Sequence, residues 1–426
     1  MDSPHRRHLP LRPFLCSIAG LINLLALLWL FGGGQLFLFI SRTQGFWFDG
    51  FYGIFTGAVM ALAVIGTFFS RPTLSLTRSN ITLFLGFVVS LLIPAMLSEK
   101  INAADPDAVR KFLMLLPYAF VPGLWGMVFR KEMIKGRTLF RLSLMILFIG
   151  NLFLFRYYYE TTLAHFRAGT ESNAIGLSYA FANLWVLVLG SSLLRRRIFL
   201  FSLASIIAPI NVFLLSTRQS LVYIIIAVFL LWFFWMLPFS IGKKPAILIT
   251  LSKRRTKTLS LALFLLLVFI ISLQPVGFAL GRSNTVKYSF ETASARWSGF
   301  FQSGYTDEAR EKLFREAAET WKEKPILGEF HYHDTPGSYA HHMLMDFLAQ
   351  YGLLGFTAYL TLIFVALSKI LKSEKDNPLD ISFALMFVGL LFVGITVTQF
   401  TTNPIFHFLL FYWVGYKSTP TKEQII

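Results

Sequence analysis

Two histidines, His341 and His342, stand where a polar stretch (HYHDTPGSYA, 331–340) meets a long apolar one. A neutral imidazole at a membrane boundary can take the proton of a hydroxyl as that hydroxyl attacks, which is general-base work. It can equally be a plain hydrogen-bonding residue, and residue type alone leaves both readings open. A second polar island, Ser216-Thr217-Arg218-Gln219-Ser220, separates two apolar runs with almost no loop. Arg218 there either snorkels to lipid headgroups or clamps an anion. Its guanidinium fork, flanked by Ser216 and Gln219, has the geometry to hold diphosphate oxygens. Arg282 and Arg296 are further cations that, with Arg218, can surround a lipid diphosphate where low dielectric strengthens attraction. His331, His333 and Asp334 raise a metal site, but their spacing matches no metal motif. The expected set therefore holds no metal and no cofactor.

The elements that must carry these residues are apolar. Of 426 residues, 55% are hydrophobic and 14% charged, broken into runs about as long as a bilayer is thick. Twelve such runs are expected, at 14–31, 51–69, 81–97, 112–129, 139–155, 175–194, 198–215, 220–240, 259–280, 353–370, 381–397 and 404–416, with a helix break at Gly32-Gly33-Gly34. The prediction is an all-α, polytopic membrane protein, 1–426 being one membrane domain. Arg6, Arg7 and Arg12 before Phe14–Phe31 read as an uncleaved signal anchor.

The net charge of +17 would mean nucleic acid in a soluble chain. Here most of the 39 Lys and Arg fall in alternate short loops, which is how topology is written, so no nucleic-acid partner is expected. Both termini are predicted cytoplasmic, and the long loop at 281–342 extracytoplasmic. Within that loop Thr306 can cap a helix with Asp307 and Glu308 in its first turn. Ala309, Leu313, Phe314, Ala317 and Trp321 form an apolar stripe on it, best read as packing onto the membrane domain, and Pro325 ends it. A weaker helix is read at Glu291 to Ser303. Single Cys16 excludes a disulfide framework. The sequence has no phosphate-cradling glycine-lysine loop, no nucleophile elbow and no zinc-protease helix.

The spacing around the histidines resembles the bacterial O-antigen ligases and the related O-antigen polymerases. Their signature is a histidine, then Asn, Ser or Gln, nine residues, Gly, two residues, and Gly, Thr or Tyr. His341 fits it: Met343 to Tyr351 are followed by Gly352, Leu353, Leu354 and Gly355. His342 departs from the pattern. STRQS looks like the family's Ser-x-Thr-Arg segment, SARW around Arg296 like its periplasmic arginine motif, and KPILGEF like its Pro-x-x-Gly turn. The resemblance implies a metal-independent, inverting glycosyltransferase of the GT-C type in the bacterial inner membrane, with a periplasmic site. The donor would be a glycan on undecaprenyl diphosphate, and the acceptor a lipid A-core hydroxyl. His341 would be the base, and Arg218 and Arg296 the diphosphate ligands. A polymerase with the same donor is the near alternative, and a transporter or flippase among membrane lipids the distant one.

Overall fold

The computed structural model describes residues 11–43, 51–70, 76–134, 136–160, 174–194, 218–236, 291, 308–332, 342–373, 377–397 and 403–416. Among them every regular element is helical, as expected. The helices are α1 (Leu11–Leu28), α2 (Gly34–Thr43), α3 (Tyr52–Ser70), α4 (Arg78–Leu97), α5 (Glu99–Asn102), α6 (Pro106–Leu115), α7 (Val121–Val128), α8 (Gly136–Glu160), α9 (Ala174–Leu194), α10 (Arg218–Met236), α11 (Glu308–Glu323), α12 (Met343–Lys372), α13 (Pro378–Val397) and α14 (Pro404–Val414). The expected runs at 198–215 and 259–280, and the loop helix after Glu291, lie outside the described residues.

Among the described residues, four helical stretches are long and apolar enough to cross a membrane: Ser17–Ser41, Arg78–Leu97, Pro106–Val128 and Met343–Lys372. Shorter apolar helices occupy Tyr52–Phe68, Gly176–Leu189, Leu379–Gly394 and Pro404–Val414. Leu85, Val89, Ile93 and Met96 recur at helical spacing on α4 and are all exposed, a continuous apolar stripe that water would not tolerate and lipid would cover.

The helices are joined by small residues and buried polar groups. Lipid is as apolar as a leucine, so helices in it associate through close packing and hydrogen bonds. A Cβ on Gly126 of α7 would stand 2.1 Å from the Phe408 carbonyl of α14, so those two backbones touch. The buried Asn23 carboxamide accepts from the Trp125 indole N–H (2.7 Å) and the Thr67 hydroxyl (3.2 Å), tying α1, α7 and α3 together. The glycine run after α1 does break the helix. Trp29–Gly33 is a widened π turn, Gly32 leaves helical geometry, and the Ala180 carbonyl would lie 2.9 Å from a Cβ there.

The antiparallel course sorts polar residues to two ends. Ser98, Asp105, the 324–332 segment and His342 meet at one end, and Lys131, Lys369, Asp380 and Tyr416 at the other.

Candidate functional site

The predicted site falls on the start of α12, and the local sequence explains its shape. His342 is the N-cap, with extended backbone and its Nδ1 accepting the Met345 amide at 3.3 Å. Its carbonyl takes the Asp346 amide at 2.9 Å, the first bond of the helix. An imidazole that accepts at Nδ1 carries its proton on Nε2 when neutral, and burial of the ring lowers its pKa from the usual 6.5, favouring that neutral form. The ring also stands edge-on to Phe314 of α11, with centroids 5.7 Å apart. Asn, Asp and Ser are the usual helix caps, and here a histidine ring nitrogen fills that post.

Ten residues beyond this cap, α12 breaks. Gly352 takes φ 57° and ψ −163°, and the turn Pro325–Glu329 inserts at the break. In an unbroken helix the Ala349 carbonyl would accept from Leu353; here it accepts from the Glu329 amide at 2.7 Å. The Leu353 and Leu354 amides donate instead to the carbonyls of Pro325 (2.9 Å) and Ile326 (3.1 Å). A buried unpaired amide is costly, so this turn supplies the hydrogen bonds the break removes. Only glycine fits at the crossing. A Cβ on Gly352 would lie 2.2 Å from the Ile326 carbonyl, and one on Gly328 (φ 67°) 2.6 Å from that of Ala349. The Gly352 and Pro-x-x-Gly features of the sequence are thus two halves of one joint.

Around the joint lies a polar shell. The Ser98 hydroxyl reaches Glu329 (2.5 Å) and the Phe330 carbonyl (3.1 Å), while the Lys324 ammonium bridges Glu329 (2.5 Å) and Glu99 (2.7 Å). Hydrogen bonds from Lys324 hold the Glu99 pKa below its ordinary value, and those to Glu329 and then Glu99 hold that of Lys324 above. Buried Asp346 accepts from the Tyr332 hydroxyl (3.0 Å) and the Gln350 amide (2.7 Å). His331 has φ 60° and is nearly buried; burial, then Lys111 and Lys100, lower its pKa despite Asp105 and Asp107. Lys111 of α6 stands 5.9 Å from the centroid of Phe330, whose ring is wedged between Phe112 and Tyr351.

The 16-residue α11 is described from Glu308 and ends before Pro325, as the sequence predicts for its end, while the expected cap Thr306 and Asp307 lie outside the described residues. Its Ala317 packs with Met345 and Ala349 of α12, and Trp321 borders them, so it lies on the membrane domain as the apolar stripe predicts.

Among the other predicted residues, Arg218 and Gln219 form the first turn of α10, which the buried Tyr223 seats against Gly389 of α13. His341, Ser216, Arg282, Arg296, His333 and Asp334 lie outside the described residues. Among the described residues no group of three His, Cys, Asp or Glu could hold a metal ion.

Sequence reasoning passed over Asp346, Gln350, Tyr332, Lys111 and the Ser98–Glu329 contact. Asp346 and Gln350 had a readable signal, two polar residues one helical turn apart in an otherwise apolar run. The Ser98 contact spans 231 positions and had none.

Comparison with family models, with curated proteins and with solved structures finds no match for this chain.

Proposed function

We propose that this chain is a membrane glycosyltransferase of the O-antigen ligase type. In this reading it has about twelve spans in a GT-C arrangement, and the end bearing His342 faces the periplasm. It takes a glycan from undecaprenyl diphosphate and joins it to a sugar hydroxyl of lipid A-core. The observation that carries the reading is the histidine-to-glycine interval. The residue after His341 caps α12, and the glycine ten residues beyond that cap is where the helix breaks and the Pro-x-x-Gly turn docks. Spacing that follows a single mechanical unit favours a functional motif over coincidence.

The chemistry follows from the residue types. The acceptor oxygen attacks the anomeric carbon, the bond from that carbon to the diphosphate oxygen breaks, and configuration inverts. His341 takes the acceptor proton. Arg218 and Arg296, with Arg282 nearby, neutralise the charge that develops on the departing diphosphate, the work a divalent cation does in many other glycosyltransferases. In this reading His342 serves as the cap and not as the base, since its Nδ1 accepts the Met345 amide.

Membranes containing the protein, supplied with lipid-linked glycan and lipid A-core, should yield capped core. His341→Ala should abolish transfer at unchanged expression; a wild-type rate in that variant removes His341 from the mechanism. Extension of the donor chain with no capped core would assign the protein as a polymerase, and glycan crossing the bilayer without bond formation as a transporter.

A further inference from the structure

The joint between α12 and the 325–329 turn has a consequence for catalysis that rests on the glycosyl-transfer reading. Above Gly352, α12 is a short helix of nine residues, Met343 to Tyr351, cut off from the hydrogen-bond ladder of the long membrane segment below. That upper piece carries the capped turn next to His341. Its angle is therefore not inherited from the membrane helix. It is set by whatever holds its last carbonyl and by what packs on its side.

Both come from the 324–332 segment and α11. Glu329 is the centre of this hold. Its amide takes the Ala349 carbonyl of the upper piece, and its carboxylate takes the Ser98 hydroxyl and the Lys324 ammonium. Lys324 in turn reaches Glu99. Ser98 closes α4 and Glu99 opens α5 directly after it, and α4 packs on the lower part of α12, where the Ser90 carbonyl would lie 3.4 Å from a Cβ on Gly355. One residue thus joins the upper piece of α12 to a helix that is itself tied to the lower piece. The side chain of Glu329 is only 12% exposed, so the ion pair with Lys324 lies in a poorly solvated place on its acidic side.

We propose that Glu329 is a positioning residue for the transfer reaction. Through Ala349 on one side and Ser98, Lys324 and Glu99 on the other, it fixes the angle of the upper piece of α12, whose cap is the residue that follows His341 in the chain. Its carboxylate is committed to Ser98 and Lys324. Its effect belongs in the chemical step, where a displacement of about 1 Å costs on the order of a hundredfold.

The test uses the full-length protein in lipid nanodiscs. Glu329→Ala should lower kcat about a hundredfold, leave KM for lipid-linked glycan and lipid A-core within about twofold, and Glu329→Asp should regain about tenfold of the loss. Hydrogen exchange should quicken in peptides spanning 343–354 of Glu329→Ala and stay at the wild-type rate in those spanning 356–370. A rise in KM at constant kcat overturns the proposal, as does a fall in kcat no larger than the fall in folded protein measured by thermal unfolding. Unchanged exchange at 343–354 also overturns it. Should the wild-type protein transfer no glycan, the glycosyl-transfer reading fails, and the exchange measurement still decides whether Glu329 holds the upper piece.

Discussion

The two ends of the helix bundle solve the same problem, a carboxylate out of water, in opposite ways. At the end away from the histidines, Asp380 opens α13 and is 1% exposed. It accepts from the Lys131 ammonium (2.6 Å), the Tyr412 hydroxyl (2.5 Å) and the Tyr416 hydroxyl (3.2 Å), none of which sits in left-handed backbone. Burial opposes the charge on Lys131, yet Asp380 outweighs it and holds the lysine pKa above its usual value. At the histidine end, Glu329 and Asp346 are held as fully, but the backbone around them is unusual. Every described residue with φ in the left-handed region, namely Ala104, Gly328, His331 and Gly352, lies there. Residues in sparsely populated conformations each cost about 1–3 kcal/mol and persist where the surroundings dictate them, commonly at functional sites. The Asp380 end is a fastening. The histidine end is a joint whose unusual backbone, including non-glycine Ala104 and His331 at positive φ, is held by its surroundings.

The largest expected effect is at the joint. Gly352→Ala forces a Cβ to 2.2 Å from the Ile326 carbonyl in a backbone conformation alanine avoids, and should cost about 3 kcal/mol or more. The purified variant should melt well below the wild type and transfer nothing; near-wild-type melting would mean the joint is soft and the contrast between the ends is wrong. Next comes Asp380→Ala, which strands Lys131 and two tyrosine hydroxyls. Breaking a buried pair costs about 3–5 kcal/mol. Melting temperature should fall, while the rate per folded molecule stays at the wild-type value, because the hydrogen bonds of Asp380 among the described residues stay at this end, away from His342. A parallel loss of rate per folded molecule would show that the two ends are coupled.

The contrast was legible in the sequence only in part. Hydrophobic runs fixed helices such as Tyr52–Ser70 and Ala174–Leu194 to within a few residues, because burial in lipid needs a continuous apolar stretch and little else. The apolar run read at 353–370 was only the lower part of a helix of 30 residues. Its upper part carries Asp346 and Gln350, polar residues that hydropathy counts against a span but that pair with each other. Gly352 and Gly355 were visible as spacing, and Pro325 as a helix stop. That Pro325 to Gly328 would dock at Gly352 was not visible, because both glycines are free of side chains and leave no pattern of apolar residues to match. The Asp380 cluster was equally hidden: Lys131 and Asp380 are 249 positions apart, and a lone acid at the start of an apolar run reads as a helix-start signal.

The smallest effect separates the two histidines. If His342 acts as a cap, His342→Ala should lose about 1 kcal/mol of stability, and His342→Asn should recover most of it, since Asn caps with its carboxamide oxygen. Both variants should keep transfer at a rate within about tenfold of wild type, far from the loss expected at His341. The pH dependence carries its own sign. Burial lowers the His342 pKa in the folded state from 6.5, so the folded state favours the neutral, capping form. That stability is fully present above pH 6.5 and is lost as pH falls through the lower folded value, because protonation of Nδ1 removes the acceptor that Met345 needs. Exchange at the first amides of α12 should therefore quicken, relative to the intrinsic rate, as the wild-type protein is acidified below pH 6.5, and should not do so in His342→Asn. The same acid response in both proteins would locate the titration elsewhere, with His331 as the nearest alternative, since its ring sits among Lys111, Lys100, Asp105 and Asp107.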